Sequence, residues 1–245
     1  MLKNIYLGAK FSFSYFSILP ISFKESDDLS QKEVLASMLF FLPLVGLVLA
    51  TLSVILFSFL SSLNWFGALI SATSYMMLYG FLHTEAIMDV TDAIYAKHSG
   101  KDAYEIIKEP TVGAMGVLYG TSLMLLKIVG IAYLLMQGYF MEFIAIAVIS
   151  RLSLLLLFRV HRFRSSFVTM LKESLTSPYL IGSFVIFSTI GYLLVSNFMI
   201  LLLIGLLLSL FISFAIKSKI GFVNGDVLGA TLEGVEILLL IGVNL

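Results

Sequence analysis

Phe198-Met-Ile-Leu-Leu-Leu-Ile-Gly-Leu-Leu-Leu-Ser-Leu-Phe-Ile-Ser-Phe-Ala-Ile216 carries no charged residue from end to end. A helix needs about 20 apolar residues to cross the hydrocarbon core of a bilayer, so this run decides the fold class. Six more runs of comparable length follow the same logic, near 36–62, 65–84, 112–136, 140–158, 178–196 and 227–244. Inside a bilayer every backbone N–H and C=O must be satisfied within the protein, and nothing in the chain competes as a β pattern. The expectation is an all-α integral membrane protein: one polytopic domain over 1–245, a bundle of about seven transmembrane helices.

Composition agrees. The chain is 60% hydrophobic and only 12% charged, with mean hydropathy +1.04, far from the balance of a soluble domain. Zero cysteines exclude disulfides, a thiolate nucleophile and Cys-ligated metal centres. The formal net charge is zero, which gives no reason to expect nucleic acid.

The turns between the runs alternate in character. Asn64 with Trp65, Gln137 to Phe140, and Ser196 to Phe198 are tight and lack Lys and Arg. The other side carries Lys3, Lys10, Lys24 and Lys32, then Lys97, Lys101 and Lys108, then Arg159, Arg162, Arg164 and Lys172, then Lys217 and Lys219. By the positive-inside rule this side is cytoplasmic, which puts the amino terminus inside and, with an odd number of spans, the carboxyl terminus outside. No removable signal peptide is expected, because Lys10 interrupts any apolar core. Residues 4–19 suit either a helix lying on the membrane surface or a short inserted segment ending at Pro20. Ser99 followed by Asp102 suggests a capped short helix over 100–109.

Most acidic residues associated with the spans collect at their basic ends, and Glu142 at the opposite face is the exception. Glu85, Asp89 and Asp92 follow the second run at i, i+4 and i+7, one face of a helix with Cβ atoms about 5–6 Å apart. Like charges so close repel unless a cation joins them. Hard oxygen donors suit one or two Mg²⁺ ions, which usually take few carboxylates and complete their shell with water and substrate phosphates. The plainer reading is a solvated helix face. Asp226, Glu233 and Glu236 share a face of the last run with Gly225, Gly229 and Ala230 nearby. Close packing accounts for such glycines, and Asp226 alone reads as a cap. Gly113, Gly116 and Gly120 share another face, which either packs tightly or admits a phosphate.

Two cations fall inside apolar runs. Lys127 is expected to find an acidic or carbonyl partner. Arg151, roughly 10 Å deep by the helical rise, either holds a phosphate or pairs with a carboxylate.

The stretch Gly80-Phe-Leu-His-Thr-Glu-Ala-Ile-Met-Asp-Val-Thr-Asp92 resembles the G-x-x-H-x-D-G-L-x-D-x-x-D-G signature of the adenosylcobinamide-GDP ribazoletransferase (cobalamin synthase) family. Ile106-Ile-Lys-Glu-Pro-Thr-Val-Gly113 resembles its I-M-K-D-x-R-x-G, Ser150-Arg151 an S-R pair, Gly225-Asp-Val-Leu-Gly-Ala-Thr-Leu-Glu233 its G-D-x-L-G-A-x-x-E, and Pro43-Leu-Val-Gly46 its early P-L-V-G. The matches occur in order over nearly the whole chain. Departures are Glu85 for an Asp, Ala86 and Ala93 for glycines, Glu109 for an Asp, and Thr111 and Ile18 for arginines.

The resemblance implies Mg²⁺-dependent transfer of the adenosylcobinamide-phosphate group from adenosylcobinamide-GDP to the ribose 3′-hydroxyl of α-ribazole or its 5′-phosphate, with release of GMP. It implies metal ligation by Glu85, Asp89, Asp92 and Glu109. Substrate contacts would come from Lys108, Gly113, Arg151, Gly229 and Glu236. His83, Asp226 and Glu233 are the candidate bases. The implied setting is a bacterial cytoplasmic membrane with the active site facing the cytoplasm, and a homo-oligomer is left open. A different Mg²⁺-dependent membrane phosphotransferase or prenyltransferase, and a cation-coupled transporter favoured by Lys127 and Arg151, are the competing classes.

Overall fold

A computed structural model describes residues 2–96, 100 and 102–243. Among these the regular structure is entirely helical: α1 (Leu2–Phe16), α2 (Lys32–Phe40), α3 (Leu42–Leu60), α4 (Trp65–Leu78), α5 (Leu82–Ala96), α6 (Ala103–Lys108), α7 (Ala114–Gln137), α8 (Phe140–Val160), α9 (Ser166–Ser174), α10 (Ser177–Leu194), α11 (Phe198–Ile220) and α12 (Gly225–Gly242).

Among the described residues, five helical stretches are long and apolar enough to cross a membrane: Leu42–Leu63, which adds a 3-10 turn to α3, together with α7, α8, α10 and α11. A sixth arises if α4 and α5, which meet at 77°, form one broken span. This is fewer than the seven expected. The run 36–62 divides at Phe41, where α2 ends and Pro43 enters the first turn of α3. The run 65–84 divides after Leu78, where Gly80 and Phe81 both take positive φ, +64° and +54°. For Phe81 that conformation is strained. The break exposes Leu78 O, which accepts a 2.8 Å hydrogen bond from Ile18 N in the segment leaving α1. The last run forms α12, of spanning length but carrying Asp226, Glu233 and Glu236.

Helix–helix association in a bilayer relies on close van der Waals approach and interhelical polar contacts rather than on a hydrophobic drive. The α3–α8 crossing shows why. A Cβ on Gly46 would stand 2.4 Å from Ala147 O and 2.7 Å from Arg151 Cδ, so glycine alone lets α8 lie against α3 with Arg151 between them. The centre of the bundle is formed by α8, buried along most of its length, and α12, enclosed by α5, α7, α8 and α11. α10 is peripheral. α1 packs on α2, where Ser37 Oγ donates to Ile5 O at 3.0 Å, and ends well before Pro20.

The basic loops gather at one end of the bundle. Arg164 N donates to Val223 O at 2.8 Å, and the Arg164 guanidinium lies 3.7 Å from the centre of the Tyr104 ring. Tyr104 meets Phe222 edge-on, and Tyr15 of α1 meets Phe167 of α9. Asp102 caps α6 by accepting from Tyr104 N; Ser99, Lys97 and Lys101 lie outside the described residues. In the 159–164 cluster the arginines are exposed, whereas His161 turns inward to Ser213 Oγ at 2.9 Å. Its burial, with Lys217 and Lys172 nearby, lowers its pKa.

Candidate active site

α5 and α12 meet at the end of the bundle where the basic loops gather, and this packing assembles the site. Gly229 permits the contact: a Cβ there would stand 2.8 Å from Ala86 Cβ and 3.3 Å from His83 Nδ1. The two helices thereby bring Asp226 opposite the stripe of α5. Asp89 feels the repulsion of Asp226 most, then of Glu85, then of Asp92. Glu85 is exposed, while Asp89, Asp92 and Asp226 are half-buried. Asp226 accepts a 2.7 Å hydrogen bond from Asn224 Nδ2. Neither Glu85 nor Asp89 has an ion-pair or hydrogen-bond partner among the described residues.

Asp92 differs from its neighbours. Its two oxygens accept from Gly113 N at 2.5 Å and Gly116 N at 2.7 Å. It satisfies the orphan donors at the start of α7 and places a negative charge on the positive end of the helix dipole. A Cβ on Gly116 would stand 2.4 Å from Asp92 Oδ2, and one on Gly120 2.4 Å from Met88 Cγ. The glycine face of α7 thus packs on α5, and the helix start that was open to a phosphate is held by Asp92.

Beside the acidic edge lies a cavity of about 130 Å³. Tyr15 and Phe16 of α1, His83 and Ala86 of α5, Phe167 of α9, and Asp226 and Gly229 of α12 are among its walls, which are mostly apolar. His83 is only 5% exposed, yet neither ring nitrogen is hydrogen-bonded among the described residues. Its ring sits between Phe16 and Tyr79, at 6.2 and 5.7 Å between centres. Burial, and secondarily Asp226, raises the pKa of Tyr15.

Beyond the His83–Tyr79 contact lies a buried network of two cations and two carboxylates. Lys127 Nζ stands 2.8 Å from Glu233 Oε2 and 2.5 Å from Glu236 Oε2, and Arg151 pairs with Glu236 Oε1. Tyr75 OH and Ser150 Oγ donate to Glu236 at 3.1 and 2.9 Å, and Lys127 also reaches Tyr79 OH at 3.2 Å. All four charged side chains are at most 2% exposed. Lys127 has the acidic partner expected of it, and of the two options for Arg151 the carboxylate is the one adopted.

The twelve sequence candidates are therefore distributed over several places. His83, Asp226 and Gly229 line the cavity, with Glu85 and Asp89 on the adjoining edge. Glu233, Glu236 and Arg151 belong to the buried network. Gly113 is bonded to Asp92. Lys108 is exposed over the Tyr104 ring at 4.0 Å and beside Glu105, and Glu109 is exposed at the end of α6. Sequence reasoning missed Tyr75 and Tyr79, whose i, i+4 spacing with polar tips inside an apolar run was the available signal. It also missed Tyr15 and Phe167, which carried none.

The donor set on α5 and α12 suits a hard divalent cation, being carboxylate oxygen without a protein counter-ion. Among the described residues no three His, Cys, Asp or Glu side chains converge as a ready metal site.

A polytopic helical bundle with uncompensated carboxylates beside a cavity at one end describes a membrane enzyme that handles a charged substrate. More particularly, the sequence model of cobalamin-5-phosphate synthase matches residues 8–244, and the chain belongs to that family. It is a transferase of cobalamin synthesis. Its relatives include proteins named adenosylcobinamide-GDP ribazoletransferase. That of Clostridium perfringens (strain SM101 / Type A) is 29% identical over 99% of this chain and 100% of its own length. That of Chlorobium chlorochromatii (strain CaD3) is 31% identical over 90% and 89%, and that of Brevibacillus brevis 27% over 93% and 94%. No solved structure matches the chain.

Proposed function

We propose that the chain transfers the adenosylcobinamide-phosphate group of adenosylcobinamide-GDP to the 3′-hydroxyl of α-ribazole or its 5′-phosphate. The observation that carries this reading is the trio Glu85, Asp89 and Asp226, acidic and without a protein cation among the described residues, beside a cavity lined in part by His83, whose ring nitrogens are not hydrogen-bonded. Phosphoryl transfer asks chiefly for positioning and charge neutralisation, and a diphosphate with Mg²⁺ supplies what these carboxylates lack.

The 3′-oxygen attacks the phosphorus next to cobinamide. A new P–O bond forms, the bond to the GMP oxygen breaks, and the hydroxyl proton leaves to a base. His83, buried in the cavity wall, would take that proton. Glu85, Asp89 and Asp226 would hold Mg²⁺, which when bound neutralises the diphosphate and the departing GMP. Asp92 keeps the start of α7 against α5 and so fixes the stripe. Glu233, held by Lys127, lies outside the cavity lining and serves with Glu236, Lys127 and Arg151 to set the helices beneath His83. The positive-inside rule supports a reading in which the end of the bundle with the basic loops faces the cytoplasm across a bacterial inner membrane, with the amino terminus inside.

With Lys127 and Arg151 neutralised by Glu233 and Glu236, the feature that favoured a transporter is taken up by packing. Incubating purified protein with adenosylcobinamide-GDP, α-ribazole and Mg²⁺ tests the proposal: equimolar GMP and cobalamin product are expected. Folded protein that yields neither would overturn it.

A further inference from the structure

We infer that the cavity between α1, α5, α9 and α12 is the subsite for the acceptor, taking the flat aromatic base of a benzimidazole-type ribonucleoside while the nucleotide-activated corrinoid stays outside. The inference rests on the function proposed above and adds a location and a selectivity to it.

Size comes first. The cavity itself, about 130 Å³, lies below the roughly 300–1,000 Å³ of pockets that enclose a drug-sized ligand. So small a space excludes a corrin macrocycle with its amide side chains and leaves room for no more than a flat base, with the ribose outside. The walls match an aromatic guest. Tyr15 and Phe167 lie 5.4 Å apart at 32°, and Tyr15 meets Phe16 at 4.8 Å, so α1 and α9 present ring faces and edges from one side. Leu82 and Ala86 of α5 complete the apolar lining. Aromatic walls favour offset or edge-on stacking with a planar ligand.

Polarity then sets the direction. The lining is mostly apolar, but Asp226 belongs both to the cavity and to the acidic edge with Glu85 and Asp89. A nucleoside whose base enters between Tyr15, Phe167 and Leu82 leaves its ribose at the Asp226 side, where the diphosphate must sit. His83, buried with no bonded ring nitrogen, stands in the same wall and meets the sugar hydroxyl there. A guest inserted corrinoid-first would place none of these groups on the reacting hydroxyl.

The test separates the two substrates. Leu82→Trp narrows the cavity and Phe167→Ala widens it, and neither touches the acidic residues. KM is measured for α-ribazole at saturating adenosylcobinamide-GDP, and for the latter at saturating α-ribazole, alongside calorimetric binding of α-ribazole alone to the wild type. Leu82→Trp is expected to raise the α-ribazole KM by roughly 10-fold or more, with the KM for adenosylcobinamide-GDP within about 2-fold of wild type. Phe167→Ala is expected to shift preference toward ribonucleosides with bulkier bases, which keeps the inference testable if Leu82→Trp does not fold. A change confined to the KM for adenosylcobinamide-GDP, or no change in either KM and no shift in base preference, would overturn the subsite while leaving the function standing. Wild-type protein that binds α-ribazole but makes no GMP would sink the function and leave the subsite.

Discussion

Along α12 the same kind of residue meets two different fates. Glu233 and Glu236, in the bundle interior, are matched by Lys127 and Arg151 and sealed by Tyr75, Tyr79 and Ser150. Asp226, at the first turn of the helix, has only Asn224 and faces Glu85 and Asp89 across the α5 packing. A buried carboxylate without a cation is costly, so the interior pair is compensated within the protein. A half-exposed carboxylate tolerates incompleteness, and incompleteness is what lets a site take a charged ligand. The comparison teaches that the missing cation, rather than the presence of acid, distinguishes binding groups from structural ones.

The largest effect is expected where that compensation is removed. Glu236→Ala leaves both Lys127 and Arg151 short of a partner, and removing one member of a buried ion pair costs about 3–5 kcal/mol. A large fall in thermal midpoint in detergent, or loss of folded protein, is the outcome; an unchanged midpoint would break the contrast from the interior side.

Chelation probes the other region. Removing divalent cations should abolish GMP release and leave the thermal midpoint where it was, because the structural charges are neutralised by protein groups. A midpoint that collapses with EDTA would move the metal from the rim to the scaffold.

Asp92 lies between the two categories. Asp92→Ala withdraws the acceptor for Gly113 N and Gly116 N, a capping loss of about 0.5–2 kcal/mol, and lets the start of α7 leave α5, so turnover falls with stability. If turnover vanishes at wild-type stability, Asp92 is a ligand in its own right. The smallest effect is expected at Lys108, exposed beside Glu105. Lys108→Ala should leave the thermal midpoint unchanged, and any rise in the KM for adenosylcobinamide-GDP would give this residue the substrate contact that the family resemblance implies.

How far all this was legible varies with the range of the interaction. The apolar runs at 112–136, 140–158, 178–196 and 198–216 became α7, α8, α10 and α11 with ends displaced by a few residues. The breaks at Phe41 and at Tyr79 to Phe81 were not foreseen, because apolar continuity says nothing about direction and Gly80 was the only local marker of the bend. The stripe at Glu85, Asp89 and Asp92 was visible because helical spacing is local. The roles within it were not: Asp92 is claimed by backbone donors more than 20 residues away, and the pairing of Lys127 with Glu233 spans 106 residues. A sequence shows that a buried cation needs a partner, but the helix packing chooses which carboxylate it takes and which stays free.

Asp89 is the carboxylate on which these strands converge, half-buried, unpaired and repelled by three others. The most direct measurement is GMP release from adenosylcobinamide-GDP and α-ribazole across a Mg²⁺ series, for wild type and Asp89→Ala of matched thermal midpoint. The account predicts Mg²⁺-dependent release by the wild type and a rate lower by about 10²–10³-fold in the variant, the scale of losing one preorganised charge-stabilising group. Wild-type release by a folded Asp89→Ala protein would contradict it.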